Sequence, residues 1–319
     1  MEGWHTSVSG ELDKVDSVIR KTLSVNNPEL AEMCGYILGS GGKKIRPAIC
    51  VLSHKACGGN DDKIIDIAAA FEIIHNATLI HDDINDNSEI RRGAKTLHKK
   101  YTVSKAIVTG DLLFAMGFRL MSTSRPEIID TVVAASEAMA DSEFIQKDHE
   151  HTPTVTDEDY IRIIRGKTAM PIFASARVGA LLAGADAELT DAVSEYAMNT
   201  GMAFQIADDL LDIDGDVKLT GKMVGSDILE GKPTLPIIYA MQDPVHGERI
   251  KQIFSRKGIG DGEVSEALDL IKKTDAVKRC IEKAEKFVAK AVDALAAVQD
   301  SEYKRSMTDL SRFVVKRDR

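Results

Sequence analysis

The chain is poor in the residues that define several common classes of protein. Its four cysteines include no CxxC spacing, so the pattern predicts neither a zinc knuckle nor a disulfide framework and favours a reducing cytoplasm. No stretch approaches the ~20 apolar residues that span a bilayer, and the N-terminus lacks a basic segment followed by an apolar one. We therefore expect neither a transmembrane segment nor a signal peptide.

An excess of basic residues is also missing. Acidic residues number 50 and basic residues 41, which gives a formal net charge of −9 at pH 7. Nucleic acids require a basic protein face, so the charge argues against a nucleic-acid partner. Any anionic ligand must be bound by cationic groups gathered locally.

Helical periodicity dominates the sequence. Between residues 61 and 86, Ile64, Ile67, Phe71, Ile74 and Thr78 recur three or four positions apart, which predicts a long helix with one core-facing stripe. A similar pattern covers residues 265–298, and strand-like alternation is hard to find. None of the Gly- and Pro-containing breaks resembles an interdomain linker. We expect a single all-α domain over residues 1–319.

Two short acidic clusters share one spacing. They contain Asp82, Asp83 and Asp86 in HDDIND, and Asp208, Asp209 and Asp212 in FQIADDLLDIDGD. On a helix the first and last members of each cluster lie on one face, and the middle one lies about 100° around. Like charges at this spacing cost roughly 0.2–0.5 kcal/mol per pair, so a cation should compensate them. Magnesium takes one or two protein carboxylates together with substrate phosphate oxygens, which predicts a diphosphate ligand.

Basic and polar residues in Gly-bearing segments add candidate phosphate ligands. These are Lys43, Arg46, Arg91, Arg92, Lys167, Thr168, Lys222 and Lys232. Each alone is typical of a solvated surface, but together they would form a cationic shell around a magnesium-bound anion. His75, two turns before Asp82 on the same face, could reach a bound phosphate.

At these residues the sequence resembles the trans-isoprenyl diphosphate synthases, or polyprenyl synthetases. Six motifs occur in the family's order over roughly residues 39–240: GGKKIRP, EIIHNATLIHDDINDNSEIRRG, GDLLFA, IIRGKTA, FQIADDLLD and GKMVGSDILEGKPTLP. The resemblance implies the isoprenoid synthase type I fold, with antiparallel helices around a central active-site cavity. It also implies a homodimer that adds isopentenyl diphosphate to an allylic diphosphate (dimethylallyl, geranyl or farnesyl) to give a trans-polyprenyl diphosphate.

The resemblance also assigns roles to residues. Two or three magnesium ions on the allylic diphosphate would be held by Asp82, Asp86, Asp208 and Asp212, with support from Asp83 and Asp209. The same diphosphate would be bound by Arg91, Lys167, Thr168, Gln205, Lys222 and Lys232, of which Lys167 is also a catalytic candidate. Isopentenyl diphosphate would be bound by Lys43, Arg46, His75 and Arg92. The chain departs from the family at MADSEFIQKD, where many members have Gly before the acidic residue or a Gly-Gln pair, and we expect this to affect the cavity wall rather than the chemistry.

The residues before Asp82 bear on product length. In the family, a bulky aromatic four or five positions before the first Asp stops growth at fifteen or twenty carbons, whereas this chain has Ala77 and Thr78 there. We expect a product of at least twenty carbons, with Ile74 or Phe71 as the floor of the tunnel. Two alternatives stay open: Ala77 and Thr78 could merely pack against a neighbouring helix, and the enzyme could be a farnesyl diphosphate synthase that stops at fifteen carbons.

Three other functions are alternatives to the synthase activity that the resemblance implies. His81-Asp82 spells the dyad of HD-type metal phosphohydrolases, although His98, His149 and His151 lack the context of further ligands. A class I terpene cyclase would also bind metal ions through such acidic clusters, but it has little use for a second diphosphate site. A regulatory subunit that has lost activity would show degraded acidic motifs, and both motifs are intact.

Overall fold

The structure is a computed structural model that describes residues 3–23, 25–214 and 224–315. Within these ranges the chain is almost entirely helical, which confirms the all-α prediction. The only strands there are β1 (Ile90–Arg91) and β2 (Ala94–Lys95), which form a short antiparallel hairpin with Ile90 opposite Lys95. The sequence pattern had not indicated this hairpin.

The chain divides into two compact units. Unit 1 comprises Met1–Val132, Ala174–Ser194 and Ala297–Met307, and unit 2 comprises Val133–Phe173, Glu195–Ala296 and Thr308–Arg319. The expectation of one domain over residues 1–319 stays a prediction.

The helices are numbered in chain order. Those within unit 1 are α1 (Ser9–Thr22), α2 (Pro28–Leu38), α3 (Ile45–Ala56), α4 (Lys63–Asn85), α5 (Leu97–Lys100) and α6 (Val103–Met121). Those within unit 2 are α8 (Asp157–Ile164), α11 (Ser226–Glu230), α12 (Leu235–Met241), α13 (Gly247–Phe254), α14 (Asp261–Ile271) and α15 (Ala276–Ala294). Residues of both units belong to α7 (Pro126–Asp148), α9 (Met170–Ala183), α10 (Ala187–Asp214) and α16 (Glu302–Phe313). Short 3-10 turns occur at Gly3–Val8 and Leu295–Ala297, and a π-helical turn at Arg165–Ala169.

Side-chain caps explain where several helices begin. The Asn27 side chain accepts a hydrogen bond from Leu30 N, and Pro28 occupies the first position of α2, where its missing N–H costs nothing. The Thr102 side chain caps α6 in the same way. Thr156 and Asp159 form a reciprocal capping box at the start of α8.

The core of unit 1 is organised around α4, which packs against α1, α3 and α6. By length and composition this helix could cross a membrane, but 72% of its most apolar window is buried inside the protein, as expected for a core helix. Glycines let α6 approach closely. A Cβ at Gly117 would lie 2.5 Å from Ile74 Cγ1, and one at Gly110 would lie 2.3 Å from His81 Nε2.

The core of unit 2 is an apolar cluster to which α8 and α10 contribute together with α12, α13, α14 and α15. Tyr160 and Ile164 of α8 and Ile206 and Leu210 of α10 belong to it. Ile206 and Leu210 are the apolar neighbours of the second acidic cluster. The helix that carries these carboxylates is therefore anchored in the core of unit 2.

Candidate active site

The first acidic cluster lies at the C-terminal end of α4. Asp82 and Asp86 are half-buried, whereas Asp83 is only 1% exposed. Arg91 of β1 donates a hydrogen bond from Nε to Asp83 Oδ1 at 2.7 Å, so a cation lies beside the buried carboxylate. Two carboxylates four positions apart thus share a partly open face, and the third is turned inward and paired.

Arg92 and the Gly-rich loop before α3 come together in unit 1. The guanidinium donates hydrogen bonds to Gly41 O and, at 3.2 Å, to Ser40 Oγ. A Cβ at Gly42 would lie 3.0 Å from Arg92 Nη2, so a side chain there would require the guanidinium to shift. Lys43 is exposed in the same loop. The structure therefore brings together two residues that the resemblance assigned to isopentenyl diphosphate.

A buried carboxylate that sequence reasoning missed lies close to this group. Glu72 of α4 is 6% exposed; burial raises its pKa, and the nearby Arg46 and Arg92 oppose that shift. Burial lowers the pKa of Arg46 to about 10, while Glu72 acts in the opposite direction. Asn76 Nδ2 donates to Glu72 O at 2.8 Å. Glu72 thus lies close enough to the predicted phosphate-binding arginines to interact with them electrostatically.

His75 shares this environment. Burial and the positive charges of Arg46, Arg92 and Arg91 lower its pKa well below the ordinary value. The imidazole is therefore neutral at pH 7 and can offer one N–H donor to an anion.

The second acidic cluster, on α10, repeats the arrangement of the first. Asp208 and Asp212 are half-buried, and Asp209 is 6% exposed. Tyr160 OH donates to Asp209 Oδ2 at 2.6 Å, and Gln205 Nε2 donates to Asp209 Oδ1 at 2.7 Å. Burial nevertheless raises the pKa of Asp209 to about 7. The buried carboxylate of this cluster is therefore held by two neutral donors.

Asp212 also has a structural role. Its Oδ1 accepts hydrogen bonds from Ser226 N at 3.1 Å and Ser226 Oγ at 2.7 Å, and its Oδ2 accepts one from Asp227 N at 3.0 Å. It thereby holds the first residues of α11. Because Oδ1 accepts two of these bonds and Oδ2 accepts one, Oδ2 is the better candidate for a metal ligand.

The predicted lysines of unit 2 have different settings. Lys232 Nζ lies 2.7 Å from Glu230 Oε2, just after α11. Lys222 lies outside the described residues. Lys167 lies in the π-helical turn, where its Nζ is 2.5 Å from Glu143 Oε2. Thr168 Oγ1 donates to Gln205 Oε1 at 2.7 Å, which connects this turn to the α10 cluster.

The donor chemistry of both clusters fits magnesium. In the described part of the chain, no group of three or more His, Cys, Asp or Glu side chains is arranged to hold a metal ion by itself. Each cluster instead offers a pair of half-exposed carboxylates. Such a pair suits magnesium, because this ion usually takes one or two carboxylates and completes its octahedron with water and substrate oxygens. In each cluster the half-buried pair would hold such an ion: Asp82 with Asp86 in the first, and Asp208 with Asp212 in the second.

The candidate chain-length residues divide between two faces of α4. Ile74 and His81 both lie against α6, and Ala77, which lies between them in the sequence, is fully buried. Thr78 is half-buried, and its Oγ1 donates to His75 O at 2.8 Å. Phe71 lies two turns before Thr78 on the face of Asp82 and is 4% exposed.

Several residues at the two clusters could not be assigned from the sequence: Glu72, Asn76, Glu143, Gln146 and Tyr160. Glu72 had a local signal, since a charged residue sat in an apolar helical stripe. Tyr160 had none, because its partner Asp209 is 49 positions away.

The motifs and the fold identify the family. Residues 27–271 match the family model described as polyprenyl synthetase, and the chain belongs to that family of prenyl-transferring enzymes. The chain is 30% identical to the polyprenyl synthase from Caulobacter crescentus CB15, whose crystal structure is a complex with calcium and isoprenyl diphosphate. The two structures match with a TM-score of 0.95 over 98% of this chain and 97% of that one.

Two curated relatives extend over nearly the whole chain. The octaprenyl diphosphate synthase of Escherichia coli (strain K12) is 32% identical over 308 residues, which cover 96% of this chain and 95% of that protein. The geranylgeranyl pyrophosphate synthase of Geoglobus acetivorans is 34% identical over 311 residues, which cover 95% and 96%.

Proposed function

We propose that this protein condenses isopentenyl diphosphate with an allylic diphosphate, head to tail, to form a trans-polyprenyl diphosphate. The observation that carries the proposal is the doubled acidic cluster. In each one, two half-exposed carboxylates four positions apart are backed by a buried third carboxylate with a fixed partner. Such pairs, together with Arg and Lys side chains nearby, are suited to a metal-bound diphosphate.

Binding and reaction are assigned to the residues as follows. Lys43, Arg46, His75 and Arg92 bind isopentenyl diphosphate, with Glu72 holding the arginines in place. The allylic diphosphate is bound by Arg91, Lys167, Thr168, Gln205, Lys222 and Lys232. The bond between the allylic carbon and the diphosphate oxygen breaks and releases diphosphate, and the double bond of isopentenyl diphosphate attacks the allylic cation. The condensed cation then loses a proton, which the released diphosphate can accept.

The cationic residues act mainly on the leaving group. Its negative charge grows as the carbon–oxygen bond breaks, so donors already aimed at the diphosphate stabilise the transition state more than the ground state. No protein nucleophile is needed. Magnesium would supply further neutralisation of the diphosphate oxygens, and Asp82, Asp86, Asp208 and Asp212 are the residues that would hold its two or three ions.

We propose a product of twenty carbons or longer. The relatives named above are an octaprenyl and a geranylgeranyl synthase, which does not favour a product of fifteen carbons. The small side chains of Ala77 and Thr78 agree with this, since no aromatic side chain stands four or five positions before Asp82.

The enzyme is proposed to act as a cytoplasmic homodimer. Support for a dimer comes from α6, where Val103, Ile107 and Val108 are 48%, 42% and 53% exposed. Large apolar side chains grouped on one helix favour a protein–protein contact. Support for the cytoplasm comes from the cysteines, all four of which are free thiols.

Product analysis tests the function. The purified protein is incubated with Mg²⁺, geranyl or farnesyl diphosphate, and labelled isopentenyl diphosphate; the products are dephosphorylated and compared with prenyl alcohol standards. We expect a labelled alcohol of at least twenty carbons. Release of phosphate without chain growth would indicate a hydrolase, consumption of the allylic substrate alone would indicate a cyclase, and no turnover would indicate a regulatory subunit.

The hydrolase alternative has little support in the geometry. His81 Nε2 lies 3.4 Å from Ile107 O and 3.6 Å from Asp111 Oδ1, so this ring is directed to α6. His149 and His151 contact the backbone carbonyls of Ile145 and Phe254.

A further inference from the structure

Lys167 is held from one side by two residues of α7. Its Nζ is 2.5 Å from Glu143 Oε2 and 3.5 Å from Gln146 Oε1. Glu143 and Gln146 are three positions apart and therefore lie on the same face of the helix. The Lys167 and Glu143 side chains are 21% and 17% exposed, so solvent screens this ion pair only in part.

Packing fixes the backbone of Lys167 over this face. A Cβ at the preceding residue, Gly166, would lie 1.9 Å from Ser142 Oγ and 2.5 Å from Ala138 O. The π-helical turn thus rests directly on α7, at the serine where the chain departs from the family pattern. The backbone of Lys167 therefore cannot move away from α7 unless the turn itself moves.

One buried donor and one buried acceptor remain open beside the ammonium. Among the described residues, neither Gln146 Nε2 nor Glu143 Oε1 has a hydrogen-bond partner, and Gln146 is only 9% exposed. Since an ammonium group only donates, it fixes the amide with Oε1 towards Lys167 and leaves the NH₂ group for another acceptor. A buried donor without an acceptor is unfavourable, so its presence beside a phosphate-binding lysine indicates an acceptor on the ligand.

We propose that Glu143 is a positioning residue for Lys167 and that Gln146 donates its amide N–H to the same diphosphate. This rests on the proposed function and extends its allylic-diphosphate site to α7. Glu143 takes one of the three ammonium protons and Gln146 Oε1 another, so the third is directed towards the ligand. Gln146 Nε2 then supplies a neutral donor next to it.

Kinetics of the full-length enzyme test the role of Glu143. Glu143→Gln keeps a hydrogen-bond acceptor but removes the charge that holds Lys167, so we expect the KM for the allylic diphosphate to rise about tenfold, equivalent to about 1.4 kcal/mol. The KM for isopentenyl diphosphate should stay within about twofold, which a general structural defect would not give. Glu150→Gln is the matched control, since Glu150 holds Lys147 at 2.8 Å and has no assigned role.

A double-mutant cycle separates positioning from direct binding. If Glu143 acts only through Lys167, then Glu143→Gln should cause no further loss in a Lys167→Ala background. An equal loss in both backgrounds, or an equal rise in both KM values, would overturn the assignment.

Gln146→Glu tests the donor. The new carboxylate strengthens the contact with Lys167, so the thermal stability should be unchanged or higher, but it replaces a donor with a negative charge next to the diphosphate. We expect inorganic pyrophosphate, titrated with Mg²⁺ present, to bind at least about tenfold more weakly. Unchanged pyrophosphate affinity would refute the role of Gln146. Wild-type protein that forms no product would refute the proposed function, and the pyrophosphate affinities of the variants would then decide this proposal alone.

Discussion

Asp209 should make the protein less stable as the pH rises from mildly acidic to neutral. Its folded-state pKa is about 7 against an ordinary value of 3.8, chiefly because the carboxylate is buried. Between those two values the folded protein binds a proton that the unfolded chain has released. The free energy of unfolding therefore falls across this window and levels off above pH 7.

The variant Asp209→Asn isolates this effect. Gln205 Nε2 can still donate to the amide oxygen, and the Tyr160 hydroxyl, which accepts as well as donates, can receive the amide N–H. The asparagine carries no charge at any pH. From pH 5 to pH 7 the wild type passes through about two pH units of its window, at about 1.4 kcal/mol each. We therefore expect the stability of the variant relative to wild type to grow by about 3 kcal/mol between pH 5 and pH 8.

Thermal unfolding followed by circular dichroism, in a chelating buffer, measures this difference. For a chain of 319 residues, 3 kcal/mol corresponds to a change of about 4 °C in the midpoint. Asp214→Asn is the control, because that carboxylate lies on the same helix but is 69% exposed. A difference between the Asp209 variant and wild type that is the same at pH 5 and pH 8 would refute the reasoning.

Three further predictions address the catalytic site. Asp82→Ala and Asp208→Ala should each lower turnover by several orders of magnitude with no loss of helical circular dichroism, and excess chelator should do the same to wild type; normal turnover in either case would contradict the metal assignment. Arg46→Ala should raise the KM for isopentenyl diphosphate selectively, and equal rises for both substrates would show that the division of sites is wrong. Thr78→Phe should shorten the product on chromatography, whereas Ala77→Phe should lower the melting temperature through overpacking; the reverse pattern would place Ala77 in the tunnel.

Helical periodicity predicted the all-α fold because apolar side chains three or four positions apart mark a buried helical face without reference to the rest of the chain. The same geometry predicted that the first and last Asp of each cluster would share a face. The hairpin at residues 90–95 was not predicted. Strands of two residues are too short to show the alternation of apolar and polar side chains that marks a strand. In this hairpin, Arg91 of β1 pairs with Asp83 of α4.

Contacts between distant segments limited the prediction of the site. Tyr160 and Asp209 are 49 positions apart, and Glu143 and Lys167 are 24 apart, so no spacing rule relates them. The burial of Ala77 could also not be predicted from the sequence. The sequence placed this residue one position from Thr78, but only the structure shows that Ala77 is fully buried while Thr78 is half-buried.

The buried carboxylates show that the two clusters are similar in pattern but different in electrostatics. In the first, Arg91 donates from Nε to Asp83, so a positive charge lies beside the buried carboxylate. In the second, Tyr160 and Gln205 hold Asp209 without adding charge, and its pKa rises to about 7. The buried carboxylate of the first cluster is therefore paired with a cation of its own. Among the described residues, the buried carboxylate of the second is held by neutral donors only, so in the proposed site the compensating positive charge would have to come from other groups.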